Sequence, residues 1–162
     1  MPRDPQFDPR DLRDAFGCFA SGITIVTLPG ADGRPTGMTV SSFSSLSLDP
    51  PLCLFSVGRH QASAAFFDAD RPFTVNVLGA AHEDAAGQFA RPAEDKFAGI
   101  AHSPGENGLP VLDRALCHFE CRLWETYDGG DHLIVVGRIE RFAVDEGDPL
   151  VFWRGRMAGL AA

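Results

Sequence analysis

The chain has 162 residues, of which 44% are hydrophobic and 22% are charged, and its formal net charge is −8. This length suits one domain with a sizeable core rather than two. The acidic balance argues against a nucleic-acid partner, because phosphate contacts need clustered Lys and Arg, and here a single lysine stands among scattered arginines.

Membrane association is not predicted either. The chain has no basic amphipathic helix, and no apolar run approaches the roughly 20 residues of a transmembrane helix. The N-terminus, MPRDPQFDPR, lacks the apolar core of a signal peptide. We therefore expect a cytoplasmic protein in which residues 1–162 form one domain and residues 1–10 form a flexible arm.

The four cysteines are expected to be reduced thiols, since a chain of this length without an export signal does not need disulfides. Cys117 and Cys121 have a spacing that occurs in metal sites. On a strand, however, both lie on one apolar face with Phe119 between them, where a free cysteine acts as a small hydrophobe. Two sulfurs also fall short of the four ligands of a zinc site, so no metal site is predicted.

The first predicted element is a helix over residues 8–20, in which Leu12, Phe16 and Phe19 form one apolar stripe. Residues 91–110 show little periodicity, and a loop of this length inside a compact domain is usually functional or disordered. Strands are predicted over residues 22–28, 37–51, 52–57, 71–78, 115–126, 132–144 and 149–154, and further helices over residues 60–69 and 80–90.

This order of elements predicts a mainly β fold with short helices. Six or seven strands, two or three short helices and no regular alternation of strand with helix favour an antiparallel barrel with helices on its outside. A Rossmann domain is excluded, because no GxGxxG motif follows a strand and opens a helix.

Hydroxyl groups are concentrated in residues 39–47, where six of nine side chains carry one and none is charged. Val40, Phe43 and Leu46 lie among them. Neutral donors beside apolar anchors suit a planar heteroaromatic ligand with a polyol and phosphate tail. A Ser/Thr-rich edge strand that faces water would show the same pattern, so both interpretations stay open.

Two further segments are candidates for ligand contact. A strand that breaks at Gly58 delivers Arg59 and Ser63 to a helix start, where backbone N–H groups and a guanidinium can bind an anion. An ordinary capped helix explains this segment equally well. His132 follows the Gly129-Gly130 turn at the mouth of a strand, which is also a common place for a polar turn residue.

Nucleophilic catalysis is not indicated. The chain contains no G-x-S-x-G elbow, and none of its cysteines lies in an electropositive setting.

The motifs GMTVSSFSSLSLDPP, SVGR, FTVNVL, DKF and GDHLIVVG occur together and in this order. In this combination the chain resembles the flavin reductase-like family of FMN-binding split barrels, over about residues 12–160. It is most similar to the reductase components of two-component flavin-dependent monooxygenases. The resemblance implies an antiparallel Greek-key split β-barrel of the FMN-binding type that forms a homodimer and binds FMN or FAD near the subunit interface.

The resemblance also implies a reaction, in which NADH or NADPH reduces the flavin and the flavin then leaves for a partner oxygenase. Hydride transfer between two stacked rings needs orientation rather than a proton-transferring side chain. His132 is therefore expected to position the nicotinamide and not to act as an acid or base. Trp153 and Arg154 are expected on the same NADH side, and Met157 stands where an aromatic residue is common in the family.

The cofactor contacts that the resemblance implies fall into three groups. The first lies along the flavin ring and comprises Met38, Thr39 and Val40; the second serves the tail and comprises Ser41, Ser42 and Ser45; the third surrounds the phosphate and comprises Ser56, Val57, Gly58, Arg59 and Ser63. Further contacts are expected from Asn76, Lys96 and Phe97.

Two alternatives remain open at this stage. The same cradle would serve a flavin-binding electron-transfer or carrier protein that does not oxidise NAD(P)H. An oxidase that acts on a pyridoxamine-type substrate is the other, and the scarcity of basic residues for a substrate phosphate disfavours it.

Overall fold

The computed structural model describes residues 6–67 and 70–160. Residues 1–5 of the expected arm and residues 68–69 of the helix predicted over 60–69 lie outside this part. Two α-helices occur in the described chain, α1 (Pro9–Phe16) and α2 (Glu83–Phe89), and 3₁₀ turns cover Ala62–Phe67 and Ala80–His82. None of the helices in the described ranges is long and apolar enough to cross a membrane.

The strands make up most of the described chain. They are β1 (Ser21–Gly22), β2 (Thr24–Pro29), β3 (Pro35–Val40), β4 (Ser44–Leu48), β5 (Pro51–Gly58), β6 (Pro72–Val77), β7 (His102–Pro104), β8 (Pro110–Leu112), β9 (Cys117–Gly129), β10 (His132–Val144), β11 (Leu150–Trp153) and β12 (Arg156–Gly159).

Seven strands form one antiparallel sheet in the order β3-β2-β6-β9-β10-β5-β4. Its two edge strands, β3 and β4, are consecutive in the chain and are joined only by residues 41–43. Such a link spans at most about 14 Å, so the sheet must curl until its edges approach each other. The edges do not pair in the described chain, and the predicted antiparallel split β-barrel is confirmed.

The core is divided in two, and β2 contributes to both parts because successive residues of a strand point to opposite faces. Val26 and Leu28 join Phe55 and Phe73 in the barrel interior. Ile25 joins a second cluster that includes the buried face of α2. The helix therefore packs outside the barrel and against β2, beside the end of β3.

The prediction of one continuous hydroxyl-rich strand is wrong. β3 ends at Val40, and the chain leaves the sheet for residues 41–43 before β4 begins on the opposite edge. The register of β4 against β5 also shifts between Ser45 and Ser47. The hydroxyl groups therefore do not alternate along one strand; they border the opening of the barrel on both sides.

The apolar stripe of the first helix lies on the surface. The helix ends at Phe16 rather than at residue 20, and none of its residues is buried. Phe16 is 71% exposed and Phe19 is 82% exposed. The hydrogen bonds from β11 and the turn after it reach the residues that follow the helix, where the Trp153 indole donates to the Cys18 carbonyl and the Arg154 N–H donates to the Gly17 carbonyl.

Three other elements differ from the predictions. The helix predicted over 60–69 is a 3₁₀ turn in its described part, and the segment 91–110 contains β7 and the first residue of β8. β12 was not predicted, and it pairs with β11 after a tight turn. Strands this short have too few residues to show the alternation of apolar and polar side chains by which strands are predicted.

Glu120 is buried, although the strand pattern placed it opposite the apolar face. Its carboxylate accepts hydrogen bonds from the Glu106 N–H at 3.2 Å and from the Asn107 N–H at 2.7 Å. The loop between β7 and β8 thus covers this side chain, which is 4% exposed. On the other face of β9, the sulfur atoms of Cys121 and Cys53 lie 3.9 Å apart as free thiols.

Candidate functional site

The link between β3 and β4 is tied to β5 by the side chain of Ser42. The Ser42 hydroxyl accepts a hydrogen bond from the Ser56 N–H at 2.9 Å and donates to the Ser56 carbonyl at 3.4 Å. These bonds tie the link between the two edge strands to β5. In the described chain β3 and β4 each pair on one side only, so backbone groups along the opening can serve a ligand.

A cavity of about 530 Å³, which we call the Lys96 cavity, lies beside the end of β3. Four of the predicted cofactor contacts line it together, namely Met38, Thr39, Ser63 and Lys96. They come from β3, from the 3₁₀ turn after β5 and from the segment after α2. The fold thus brings together residues that are up to 58 positions apart in the sequence (96 − 38).

The polar groups of the Lys96 cavity are held by α2. The Thr39 hydroxyl donates to the Ala86 carbonyl at 2.6 Å, and the Lys96 ammonium donates to the Phe89 carbonyl at 2.9 Å. Partial burial lowers the pKa of Lys96. A cation in this place is oriented by the helix terminus and is less solvated than a surface lysine.

Eleven residues that line the Lys96 cavity were not predicted, and four of them carry a polar side chain, namely Thr36, His60, Gln61 and Arg91. Arg91 lies in the segment 91–110, whose lack of periodicity indicated a functional loop without showing which of its residues matter. His60 and Gln61 lie between the predicted Arg59 and Ser63, and their type alone carries no signal.

A second cavity of about 770 Å³, which we call the Ser41 cavity, lies on the α1 side of the opening. It is lined by Ser41 together with Phe16, Phe19, Phe152 and Arg154. Ser41 is two residues from Thr39. The end of β3 therefore borders the Lys96 cavity, and the link that follows it borders the Ser41 cavity.

Of the two residues predicted on the NADH side, Arg154 lines the Ser41 cavity, and the neighbouring Trp153 contacts the segment that follows α1. The indole N–H of Trp153 donates to the Cys18 carbonyl at 3.3 Å. The Arg154 guanidinium lies 4.8 Å from the centre of the Trp153 ring, which is a favourable cation–π distance. The Arg154 backbone is left-handed, with φ of 48°, because it forms the tight turn into β12.

His132 lies where the turn after β9 leads into β10, opposite the end of β5. We call residues 128–132 the His132 turn. His132 is the first residue of β10 and stands opposite Gly58 of β5. Its Nδ1 atom lies 2.7 Å from a carboxylate oxygen of Asp131, and this hydrogen bond lowers the pKa of Asp131.

Arg59, predicted as a phosphate ligand, forms hydrogen bonds and an ion pair with the His132 turn. Its guanidinium donates from Nε to the Gly130 carbonyl at 2.8 Å and forms an ion pair with Asp128. Its backbone N–H donates to the Asp131 carbonyl at 3.0 Å. The side chain therefore points to the turn, and it does not line the Lys96 cavity.

Four other predicted cofactor contacts lie near the opening, at the end of β3, on β4 and on β5. The side chains of Val40 and Val57 are buried in the barrel interior, so only their backbone groups can face a ligand. Ser45 is exposed on β4, and Ser56 is engaged by Ser42.

Asn76 and Phe97 both make contacts within the fold, and their roles as cofactor contacts stay predictions. Asn76 is fully buried, and its amide donates to the Ile25 carbonyl at 3.2 Å and accepts from the Leu112 N–H at 2.9 Å. Phe97 packs edge-on against Phe89 at 5.0 Å. Neither residue lines the Lys96 cavity.

The donor groups of the Lys96 cavity indicate the chemical class of ligand that it suits. No cluster of three or more metal-ligating side chains occurs within residues 6–67 and 70–160. The donors at the Lys96 cavity are an ammonium, a guanidinium, an imidazole, hydroxyls, a side-chain amide and edge-strand backbone groups. This set matches a phosphate ester with a hydroxylated tail.

The chain matches the family model described as flavin reductase like domain over residues 16–161. It is similar to the flavin-dependent monooxygenase reductase subunit HsaB of Mycobacterium tuberculosis, with 37% identity over 96% of this chain and 84% of that protein. It is also similar to the FMN reductase (NADH) SmoA of Agrobacterium fabrum, with 38% identity over 96% of this chain and 91% of that protein.

Among solved structures, one similar to this chain is the NADH:FAD oxidoreductase SgcE6 of Streptomyces globisporus C-1027 in complex with NAD and FAD fragments. The TM-score is 0.89 at 37% identity, and 98% of each chain is covered. The chain spans about half to two thirds of the length of other curated relatives, 51%, 65% and 47% in three of them.

Proposed function

The chain belongs to the flavin reductase-like domain family, and we propose that it is an NAD(P)H:flavin oxidoreductase. It reduces FMN or FAD by hydride transfer and supplies the reduced flavin to a partner flavin-dependent monooxygenase. The family match, the FMN reductase among its relatives and the similarity to a structure that holds NAD and FAD fragments support this proposal.

The observation that carries the proposal is the Lys96 cavity at the end of an unpaired sheet edge. Its volume of about 530 Å³ lies within the roughly 300–1,000 Å³ of small-molecule sites. Lys96 and Ser63 would hold a phosphate, and the backbone at Met38 and Thr39 would face ring heteroatoms. Ser41, on the neighbouring cavity, would serve the tail.

The protein's part in this reaction is binding and orientation. A bound flavin supplies the electron-accepting ring, and the chain supplies the neutral donors, the cation and the apolar surfaces that hold it. His132 would orient the nicotinamide through its imidazole, whose Nδ1 is fixed by Asp131. No step requires a proton to move through a side chain, so a mutant that lacks any one donor keeps residual activity.

A partner oxygenase is part of the proposal because reduced flavin reacts with oxygen once it is released. The relative HsaB is described as the reductase subunit of a flavin-dependent monooxygenase. We expect a matching oxygenase to consume the reduced flavin of this chain. Free thiols at all four cysteines suit the reducing cytoplasm, where NADH and NADPH are supplied.

A homodimer is also proposed, since large apolar side chains are exposed around the opening. Phe16 and Phe19 line the Ser41 cavity while 71% and 82% exposed, and Phe142 and Val144 on β10 are 66% and 73% exposed. Apolar exposure of this kind marks interaction surfaces. Sedimentation of the purified chain should give twice the monomer mass, and a monomer at micromolar concentration would contradict the proposal.

The activity is tested by following NADH oxidation with FMN or FAD under air, and by repeating the assay with NADPH. Oxidation that depends on added flavin is the expected result. Flavin binding without oxidation of either nucleotide would identify a carrier and overturn the reductase proposal. Flavin titration by fluorescence quenching measures binding separately from turnover.

A further inference from the structure

Arg59 contacts the His132 turn at three points. Its Nε donates to the Gly130 carbonyl at 2.8 Å, its terminal nitrogen pairs with Asp128, and its backbone N–H donates to the Asp131 carbonyl at 3.0 Å. The Asp128 carboxylate also accepts from the Gly130 N–H at 3.1 Å. The turn is therefore held by a hydrogen-bond network that starts at the residue directly after β5.

The network reaches His132 directly. Asp131, whose carbonyl accepts from Arg59, also binds the His132 ring through its carboxylate at 2.7 Å. His132 itself is 48% exposed at its side chain, with no core packing to fix its orientation. An exposed turn that carries a binding residue needs such restraints, because it would otherwise sample many conformations.

We propose that Arg59 is a positioning residue: it clamps the His132 turn to β5 and so orients the His132 imidazole towards the nicotinamide of NADH. This inference rests on the proposed reductase function. Arg59 then contributes to the use of NADH and not to the binding of the flavin phosphate.

The geometry separates these two roles. The Nε atom and one terminal nitrogen of the guanidinium bind groups on the turn, and the residue is absent from the lining of the Lys96 cavity. Arginine suits the clamp because its planar fork holds a carbonyl and a carboxylate in a fixed geometry, whereas the lysine ammonium is a compact charge on a flexible stem. An exposed ion pair adds little to global stability, so the clamp acts on the turn alone.

The test compares Arg59→Gln with the wild type in steady-state kinetics and in flavin titrations. We expect the KM for NADH to rise about three- to tenfold, with kcat and the flavin Kd changed by less than about twofold. Arg59→Lys should fall between the two. A rise in the flavin Kd with an unchanged KM for NADH would overturn the clamp and restore the phosphate role.

Arg122→Gln is the matched control. Arg122 is 44% exposed, against 41% for Arg59, and it also pairs with acidic residues, Asp70 and Glu140. It lies on β9 and contacts neither the His132 turn nor the Lys96 cavity. A KM for NADH that rises equally in both variants would assign the effect to the lost charge and would contradict the clamp.

A double variant tests whether Arg59 acts through His132. If it does, adding Arg59→Gln to His132→Ala should not raise the KM for NADH further, because the positioned group is already gone. Full additivity of the two effects would overturn the proposal.

One measurement is independent of turnover, so failure of the reductase function can be told apart from failure of the clamp. In the ligand-free protein, Arg59→Gln should speed hydrogen exchange at the Gly130 amide and leave exchange in β6 unchanged. Unchanged exchange at Gly130 would overturn the clamp. A wild-type protein that fails to oxidise NADH overturns the reductase proposal, and with it the role of the clamp in NADH use.

Discussion

The Lys96 cavity and the His132 turn are built in different ways. At the cavity, the polar side chains of Thr39 and Lys96 are partly buried and bonded to the backbone of α2. At the turn, Asp128 and His132 are 81% and 48% exposed at their side chains. One region is part of the packed fold, whereas the other is held at its surface by hydrogen bonds and charges.

This difference predicts how each region responds to mutation. A change at the cavity should alter flavin affinity and, where it disturbs packing against α2, stability as well. A change at the turn should alter NADH use and leave both flavin affinity and stability almost unchanged. Variants that separate these readouts test whether the two halves of the reaction are supported independently.

Lys96→Met should have the largest effect on affinity, and it should act at the cavity alone. A hydrogen bond to a charged group contributes about 1.5–3 kcal/mol, so the flavin Kd should rise about tenfold to a hundredfold. Methionine keeps the length of the side chain. Arg141→Met removes one exposed positive charge from β10 and is the control; an equal loss there would mean that only net charge matters.

The pH dependence of flavin binding should reflect the protonation of the same residue, Lys96. Burial lowers the pKa of Lys96 from its ordinary value of 10.5. The ammonium of the free protein therefore loses its proton at a lower pH than a surface lysine does, and flavin affinity should fall as the pH rises through that lowered pKa. Titrations at increasing alkaline pH check this: Lys96→Met should show no such fall.

His132→Ala should weaken NADH use tenfold to a hundredfold in kcat/KM, on the order of 1.4–2.7 kcal/mol. The loss reflects positioned contacts, so flavin affinity and thermal stability should remain those of the wild type. Stopped-flow reduction of bound flavin measures the effect directly. An inactive protein that binds flavin and NADH normally would refute positioning as the only role of His132.

Gly37→Ala should destabilise the cavity wall by about 1–3 kcal/mol through overpacking. A methyl group at Gly37 would lie 2.8 Å from a Phe89 ring carbon and 2.9 Å from the Val26 carbonyl oxygen, and the backbone oxygen cannot move aside. The control is Gly87→Ala in α2, where a methyl group meets nothing within 4 Å.

In urea unfolding, the two glycine variants should change the free energy of unfolding in opposite directions. Gly87→Ala should stabilise the protein by about 0.5–1 kcal/mol, because alanine is the better helix former. Equal stabilities of Gly37→Ala and the wild type would show that the wall of the cavity is looser than its contacts indicate.

Local pattern was sufficient for much of the fold and for part of the site. Alternation and β-branched residues predicted the buried strands, and the motif order predicted that Thr39, Ser63 and Lys96 serve one ligand. These residues line one cavity. Such features depend on neighbours within a few residues or on a motif that was matched as a whole.

The missed features depend on partners far away in the sequence. Arg59 is held by Asp128, 69 positions away, and Asn76 by Leu112, 36 positions away. A lone arginine before a turn resembles an anion ligand until its partner is known. The split of the hydroxyl-rich stretch was missed for the same reason, because only the closure of the whole sheet places β3 and β4 on opposite edges.

Substitutions in the link between these edges should have the smallest effects, and they should separate stability from flavin affinity. Ser42 bonds to the Ser56 backbone, whereas Ser41 lines the neighbouring cavity. Ser42→Ala should therefore lower the free energy of unfolding by about 1 kcal/mol, the contribution of a typical hydrogen bond. Ser41→Ala should leave it unchanged and raise only the flavin Kd, by about threefold.

The double variant, with both serines replaced by alanine, should combine the two effects, since one hydroxyl serves the fold and the other serves the ligand. Unchanged flavin affinity in this variant would show that the flavin tail does not reach the link. Loss of stability in Ser41→Ala alone would show instead that both hydroxyls hold the barrel opening, so that this part of the cradle is structural throughout.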